Sequence, residues 1–339
     1  MRIYHDVSLR SYNTYGIDCT ARELIEFENR EEIVGYFLGN RTIDLSGLLV
    51  LGGGSNVLFT KNVDSTIVKF TGTEIQIVSE NADHIHIGGE AGINWHEFVL
   101  KTIEDGYQGL ENLSLIPGQL GAAPIQNIGA YGVEIRDYLD GVEYFDLIKK
   151  EFVTLSNADC RFGYRDSIFK HELKGKAMIL SVQFKLNKVP HYNISYKDLQ
   201  NKLSGNNISD LTPSLISDLV IEIRRSKLPD PAITGNAGSF FKNPVVAQET
   251  AEQLKKEFPG IPAYDNGPGL VKISAAWLID QCKWKGVSRG QAGVHDRQPL
   301  VLINRGKATG MDILNLALEI RESVEKKFGI ILEPEINIV

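Results

Sequence analysis

Leu48-Leu49-Val50-Leu51-Gly52-Gly53-Gly54-Ser55-Asn56-Val57-Leu58-Phe59 is the stretch on which the fold class turns. A short apolar run of strand character feeds directly into three glycines, the order of elements a phosphate-binding loop needs. Two common nucleotide folds are nevertheless excluded. Val57 occupies the place of the third glycine of a dinucleotide fingerprint, and Val57-Leu58-Phe59 continues as strand where that motif opens a helix. A GxxxxGK motif followed by Ser or Thr occurs nowhere, which removes the P-loop NTPases. What remains is a row of backbone N–H groups suited to an anion nest, with Ser55 and Asn56 adding side-chain donors. A plain hairpin turn is the competing reading.

Around this loop the apolar pattern alternates between short strands and helices. Leu24-Ile25-Glu26-Phe27 reads as a strand and residues 30–38 as a short helix. Between Glu74 and Lys188 strands dominate, at 75–78, 84–89, 141–145 and 178–184, broken by helices over 94–105 and after Pro117. The polar interval 201–210 reads as a loop or linker. Beyond it helices are predicted over 246–258, 274–283 and 311–328, the last opening on the capping-box pattern Thr309-x-x-Asp312. The expectation is an α+β protein with two strand-rich lobes and a third, mixed lobe.

Bulk properties narrow the function classes. At 339 residues the chain exceeds the size at which one hydrophobic core usually stops growing, so two or three domains are expected. Its 42% hydrophobic and 23% charged content is that of a folded soluble protein. A net charge of -7 argues against a nucleic-acid surface, yet leaves room for anionic small ligands held by local Lys and Arg. No apolar run has the length of a membrane span, and Met1-Arg2-Ile3-Tyr4-His5-Asp6 lacks the apolar segment of a signal peptide. Cys19, Cys160 and Cys282 are far apart and form no CxxC, which suits a reducing cytoplasm. No metal is expected either. His84 and His86 alternate on a strand without a third ligand, and His171-Glu172-Leu173-Lys174-Gly175 has a glycine where HExxH needs its second histidine.

Two further stretches carry chemistry. Ile116-Pro117-Gly118-Gln119-Leu120-Gly121-Ala122-Ala123-Pro124-Ile125-Gln126-Asn127-Ile128-Gly129-Ala130-Tyr131-Gly132 has small residues at nearly every other place and hardly any charge. Gly and Ala let a flat or bulky ligand lie against the backbone, and Gln126 and Asn127 can read its polar edge; a glycine-rich helix packed tightly on another is the plain alternative. Gly235-Asn236-Ala237-Gly238-Ser239-Phe240-Phe241-Lys242-Asn243-Pro244 mixes a hydroxyl, an ammonium and an amide with a Phe-Phe pair. That mixture suits a strand edge with an apolar core on one side and a polar ligand on the other, where a serine hydroxyl can donate a proton. A tight turn into a partly buried strand is the competing reading.

Three more pieces complete a pattern: Cys160-Arg161-Phe162-Gly163-Tyr164-Arg165-Asp166-Ser167, with Tyr and Arg at a strand end, Lys227-Leu228-Pro229-Asp230-Pro231, and Leu332-Glu333-Pro334-Glu335-Ile336. Together with the glycine loops, and in this order from Asn13-Thr14-Tyr15-Gly16 to Glu335, they make the chain resemble the UDP-N-acetylenolpyruvoylglucosamine reductases, the MurB family. The resemblance implies an FAD-binding fold of the vanillyl-alcohol-oxidase type plus a third, α+β substrate-binding domain. The expected lobes are 1–73, with 329–339 packing back near the active site, then 74–212, then 213–328. It implies non-covalent FAD contacted by Gly52, Gly53, Gly54, Ser55 and Asn56, and by Pro117, Gly118, Gly121, Gln126, Asn127, Ile128 and Gly129. Arg165, Ser239 and Glu335 match the family's catalytic trio, and Tyr164, Tyr196, Lys227, Asn243 and Gln298 its substrate-binding positions. Tyr196 matches the tyrosine with which one subgroup closes over the substrate diphosphate. The chain departs from that subgroup around 286–297, where Arg289 and Asp296 add charges ahead of Gln298, and in a short C-terminal end, Ile336-Asn337-Ile338-Val339.

The implied reaction is peptidoglycan-precursor synthesis by a cytoplasmic monomer. NADPH reduces FAD, hydride passes from flavin N5 to the vinyl carbon of UDP-N-acetylglucosamine enolpyruvate, and UDP-N-acetylmuramate results. The side chains suit that chemistry. Charge that builds on the pyruvyl carboxylate calls for the planar fork of Arg165, and the nascent carbanion is basic enough to take the proton of Ser239, with Lys242 and Asn243 next to it. Glu335 would have to donate to the same enolate, hence to be at least partly protonated with substrate bound. Read without the family, Arg165 and Asp166 are a surface ion pair, Tyr196 is a helix-packing aromatic, and strand alternation does not separate Glu335 from Glu333. An FAD oxidase of the same fold and a non-catalytic flavin-binding regulator are the rival functions. Neither uses the trio.

Overall fold

Alternation decides the largest sheet. In Ala177–Asn187 the side chains of Met178, Leu180, Val182, Phe184 and Leu186 are buried while their neighbours face outward more often, so the strand can cover a core on one face. It is central in a five-stranded sheet ordered Glu151–Ser156, Leu139–Asp146, Ala177–Asn187, His84–Glu90 and Ile75–Glu80, antiparallel at every pairing. The computed structural model describes residues 1–39, 47–204 and 210–339. The helix Trp95–Glu104 starts where Asn94 Oδ1 accepts the N–H groups of His96 and Glu97. It lays Trp95 and Phe98 against Phe184, with ring centroids 6.0 and 5.5 Å apart. Each such buried ring contributes about 1.5–3 kcal/mol.

A four-stranded sheet runs Arg2–Ser8, Thr20–Phe27, Val63–Phe70 and Leu49–Val50. Its last pair is parallel, Leu49 opposite Ile67 and Val50 opposite Val68, and it aims the chain into the first glycine loop. The helix Arg30–Phe37 is capped by Asn29 and inserts Phe37 between Phe27 and Phe145. The chain divides into two compact units. One holds Met1–Val7, Ala21–Gly53 and Asp64–Ser226, with a large core that runs through the five-stranded sheet and a smaller cluster of Leu199, Leu203, Leu211, Ile216, Val220 and Ile223. The other gathers Ser8–Thr20, Gly54–Val63 and Lys227–Val339.

In that second unit the helix Gly310–Phe328 opens on the predicted box: Thr309 Oγ1 accepts the Asp312 N–H, and Asp312 Oδ2 accepts the Thr309 N–H. Its apolar stripe, Ile313, Leu316, Ile320, Val324 and Phe328, is buried, and Phe328 meets Phe258 at 4.7 Å between centroids. Asn337–Ile338 pairs parallel with Val57–Leu58, which ties the end of the chain to the strand after the first glycine loop.

Three local expectations are corrected. The helix after Pro117 is a 3₁₀ helix, Leu120–Gln126, because Gly121 is a weak helix former and Pro124 has no N–H to give. Val245–Ala247 is a strand, as the β-branched Val245 and Val246 prefer, and the helix covers only Gln248–Glu257. Of the polar interval 201–210, residues 201–203 close the helix Lys197–Leu203, and 205–209 lie outside the described residues.

Candidate active site

The two glycine loops lie against each other within the first unit. A Cβ on Gly53 would stand 3.1 Å from Gly118 Cα, so backbone meets backbone with no side chain between. Lys69 Nζ donates to Gly52 O at 2.6 Å and to Gln119 Oε1 at 3.0 Å, and Gln119 Nε2 donates to Gly92 O at 2.9 Å. Burial holds the Lys69 ammonium below its ordinary pKa, partly offset by Glu26. Among the described residues neither Gly52 nor Gly53 gives its N–H to another backbone carbonyl. Donors without bulk suit the diphosphate of a dinucleotide, so these residues fit an FAD. Gly54 continues the loop in the second unit at φ 65°, where a Cβ would run into the Tyr12 carbonyl; only glycine serves. Asn56 Nδ2 donates to Glu335 O at 3.4 Å, and Asn56 O accepts the Asn337 N–H.

Asn127 is buried with a left-handed backbone, φ 44°. Its Nδ2 donates to Glu134 Oε2 and Gly163 O, at 2.8 and 2.9 Å, and its Oδ1 accepts the Arg136 N–H. The side chain is thereby engaged inside the protein and braces the segment that carries Arg165. That arginine is not at a strand end as predicted. It tops a tight turn closed by reciprocal N–H to O bonds between Gly163 and Asp166, with φ 52°. Its Nη2 donates to Gly129 O at 2.6 Å and its Nη1 to Asn127 O at 3.4 Å, and its Cζ lies 5.6 Å from the Tyr164 ring. Asp166, the suspected partner, bonds His171 Nε2 at 2.8 Å.

Nearby in the same unit, Tyr196 stands just before the helix Lys197–Leu203, 44% exposed, with its ring edge-on to Tyr131 at 5.1 Å. Burial pushes the Tyr131 hydroxyl up to about 12. Arg224, on the helix Pro213–Lys227, is half-buried, and its buried Nε finds no hydrogen-bond partner among the described residues. Burial lowers its pKa, as does the charge of Arg165. The sequence did not single out Lys69 or Arg224: each looks like an ordinary cation on an amphipathic element.

In the second unit three segments run side by side. Ser239 bridges to Val301, Phe240 N donates to Leu300 O at 2.8 Å, Glu335 N to Phe240 O at 2.7 Å, and Lys242 N to Glu333 O at 2.9 Å. Phe240 and Phe241 are 0% and 1% exposed with rings 4.9 Å apart, so the pair forms the predicted apolar underside. Glu333 is 76% exposed beside Lys242, while Glu335 is half-buried; Pro334 between them bridges to Phe241. The Thr14-Tyr15 stretch is the brace behind: Asn236 N donates to Thr14 O, Asn304 Nδ2 to Tyr15 O, and a Cβ on Gly235 would strike the Tyr15 carbonyl. Gln298 opens the turn to Val301, and its N–H reaches His295 Nδ1 at 3.3 Å. Asn243 Oδ1 accepts the Ala275 N–H. Lys227 follows the first unit as the opening residue of 227–339. Ser239, Glu335, Asn56 and Gln298 are thus gathered in the second unit, and Arg165, Tyr164, Tyr196 and both glycine loops up to Gly53 in the first.

Residues 230–339 match the family model of the UDP-N-acetylenolpyruvoylglucosamine reductase C-terminal domain, and 46–153 match an FAD binding domain. A UDP-N-acetylenolpyruvoylglucosamine reductase of Chromobacterium violaceum is 46% identical over 331 residues, 97% of each chain. This chain belongs to the UDP-N-acetylenolpyruvoylglucosamine reductase family. The Flavobacterium johnsoniae reductase is 44% identical over the whole of both chains. The crystal structure of the Thermus caldophilus reductase (MurB) aligns with 100% of this chain and 99% of its own, with a TM-score of 0.70 at 25% identity. The family assignment makes the chain an oxidoreductase with an FAD-binding domain, acting on an enolpyruvyl nucleotide sugar. Among the described residues no helix is long and apolar enough to cross a membrane, and no group of three His, Cys, Asp or Glu is placed to hold a metal.

Proposed function

We propose that the chain reduces UDP-N-acetylglucosamine enolpyruvate to UDP-N-acetylmuramate, with NADPH as electron donor and FAD held non-covalently. The observation that carries this reading is the ladder in which Glu335 N–H meets Phe240 O at 2.7 Å, since it sets the segments of two acids, Ser239 and Glu335, side by side. Held there, an FAD would supply the hydride-transfer chemistry between NADPH and the vinyl carbon. Ser239 protonates the neighbouring carbon, where negative charge gathers. Arg165 grips the pyruvyl carboxylate over which that charge spreads. Glu335 donates to the same enolate in its protonated form, because an ionised carboxylate would repel it.

Around them Tyr164, Lys227, Asn243 and Gln298 bind the sugar nucleotide, and Tyr196 closes over its diphosphate as in one subgroup of the family. Gly52, Gly53, Gly54, Ser55 and Asn56, with Pro117, Gly118, Gly121, Gln126, Asn127, Ile128 and Gly129, hold the FAD. In this reading 1–73 and 74–212 serve the cofactor, 213–328 serves the substrate, 329–339 returns toward the reacting groups, and the enzyme works as a cytoplasmic monomer. Anaerobic stopped-flow absorbance tests it: the yellow protein is reduced with NADPH, then mixed with UDP-N-acetylglucosamine enolpyruvate. Flavin reoxidation with UDP-N-acetylmuramate as product is expected. A reduced flavin that ignores that compound but is oxidised quickly by air would make the protein an oxidase.

A further inference from the structure

We infer that Lys69 is a positioning residue for the flavin: it ties the two glycine loops into one surface from behind, and cofactor affinity depends on that tie. The inference rests on the FAD reading above. Lys69 is only 9% exposed, and lysine is seldom buried without a specific partner. Its place follows from the parallel pairing of Leu49–Val50 with Ile67 and Val68 and from the Leu51 N–H to Val68 O bond at 2.9 Å. One residue further on, Lys69 comes level with the first glycine.

Its direct partners are neutral. A carbonyl of one loop, Gly52 O, and an amide oxygen of the other, Gln119 Oε1, share a single ammonium at 2.6 and 3.0 Å. Gln119 is anchored in turn, because its Nε2 donates to Gly92 O at 2.9 Å. The tie therefore runs through three backbone segments. At Gly53 no side-chain packing sets their register. Where the loops meet, Gly53 faces Gly118 and Gln119 with no side chain to interdigitate, and an added Cβ would lie only 3.1 to 3.3 Å from that backbone. A tetrahedral ammonium with three donors can reach both loops at once, which a shorter or singly donating group cannot. The buried charge also sits behind the glycine N–H groups, where it favours an anionic ligand.

The test uses the flavin-loaded protein. Wild type, Lys69→Met, Gln119→Leu and the double variant are diluted, and FAD release is followed by flavin fluorescence to give a Kd. The bound flavin's absorption spectrum and the melting temperature are recorded in parallel. Lys69→Met keeps the apolar stem of the side chain and removes its donors, and is expected to raise the FAD Kd by at least about tenfold. Gln119→Leu is expected to raise it less, and the double variant to match Lys69→Met, since one tie cannot be broken twice. A Lys69→Met protein that melts lower yet holds FAD within twofold of wild type would show the lysine to be structural only and overturn the inference. Should Lys69→Met fail to fold, Gln119→Leu decides by the same twofold limit. A wild-type protein that holds no FAD at all would sink the flavoprotein reading instead.

Discussion

Arg165 and Ser239 are placed by opposite devices. Arg165 tops a turn at φ 52°, a backbone state that a non-glycine residue adopts only under constraint, and carbonyls of Asn127 and Gly129 hold its guanidinium. Ser239 lies in an extended bridge to Val301, and the two aromatic rings next to it in the chain are fully buried. A half-buried guanidinium is not anchored by burial alone, because desolvation without a partner is costly. It is anchored by loop strain and hydrogen bonds. A hydroxyl is small and neutral, so the packing of its sequence neighbours can aim it.

The contrast breaks most sharply at the serine. Ser239→Ala is expected to leave flavin reduction by NADPH intact and to slow substrate reduction by about 10³-fold, with an unchanged melting temperature. Single-turnover absorbance of the two half-reactions separates these; equal loss of both would remove Ser239 from the proton-donor role. Arg165→Asn should behave differently. Substrate reduction is expected to fall by about 10²-fold, while stability holds or rises by up to about 1 kcal/mol, because Asn tolerates the left-handed backbone better. Chemical denaturation beside kcat/KM measures both, and a clear loss of stability would mean that the guanidinium bonds outweigh the strain.

The smallest effect concerns a pair of histidines, one in each unit. His96 Nδ1 accepts the Leu115 N–H at 3.0 Å, and His295 Nδ1 those of Arg297 and Gln298 at 3.4 and 3.3 Å. Burial, first of all, holds both imidazoles below their ordinary pKa, helped at His96 by Arg224 and Arg225. Unfolding restores the ordinary value, so the unfolded chain takes up protons that the fold refuses. Stability is full above about pH 6.5 and is lost as pH falls toward the folded values. Melting temperature should therefore drop between about pH 7 and pH 5, less steeply in a His96→Asn, His295→Asn double variant. An identical slope in that variant would exclude the histidines as the cause.

Local chemistry made much of this legible. Val57 after three glycines ruled out the dinucleotide fingerprint, Thr309 and Asp312 announced a helix start, and the Phe-Phe pair foretold a buried underside to the serine segment. Each of these is settled within a few residues, where spacing and side-chain type fix the outcome. Element ends were less secure: Pro124 turned an expected α-helix into a 3₁₀ helix, and two valines turned a helix start into a strand.

By itself, then, the sequence determined the class of elements, the residues equipped for acid, cation and phosphate chemistry, and through its motifs the family. Only the tertiary structure decided that Glu335 rather than Glu333 is half-buried on the Phe240 ladder, that Arg165 stands on a strained turn, and that Lys69 binds loops 17 and 50 residues away. The reason is physical. Dihedral preferences and amphipathic periods act along the chain over one or two turns, whereas desolvation and hydrogen-bond satisfaction depend on which distant groups the packed core brings to the same place.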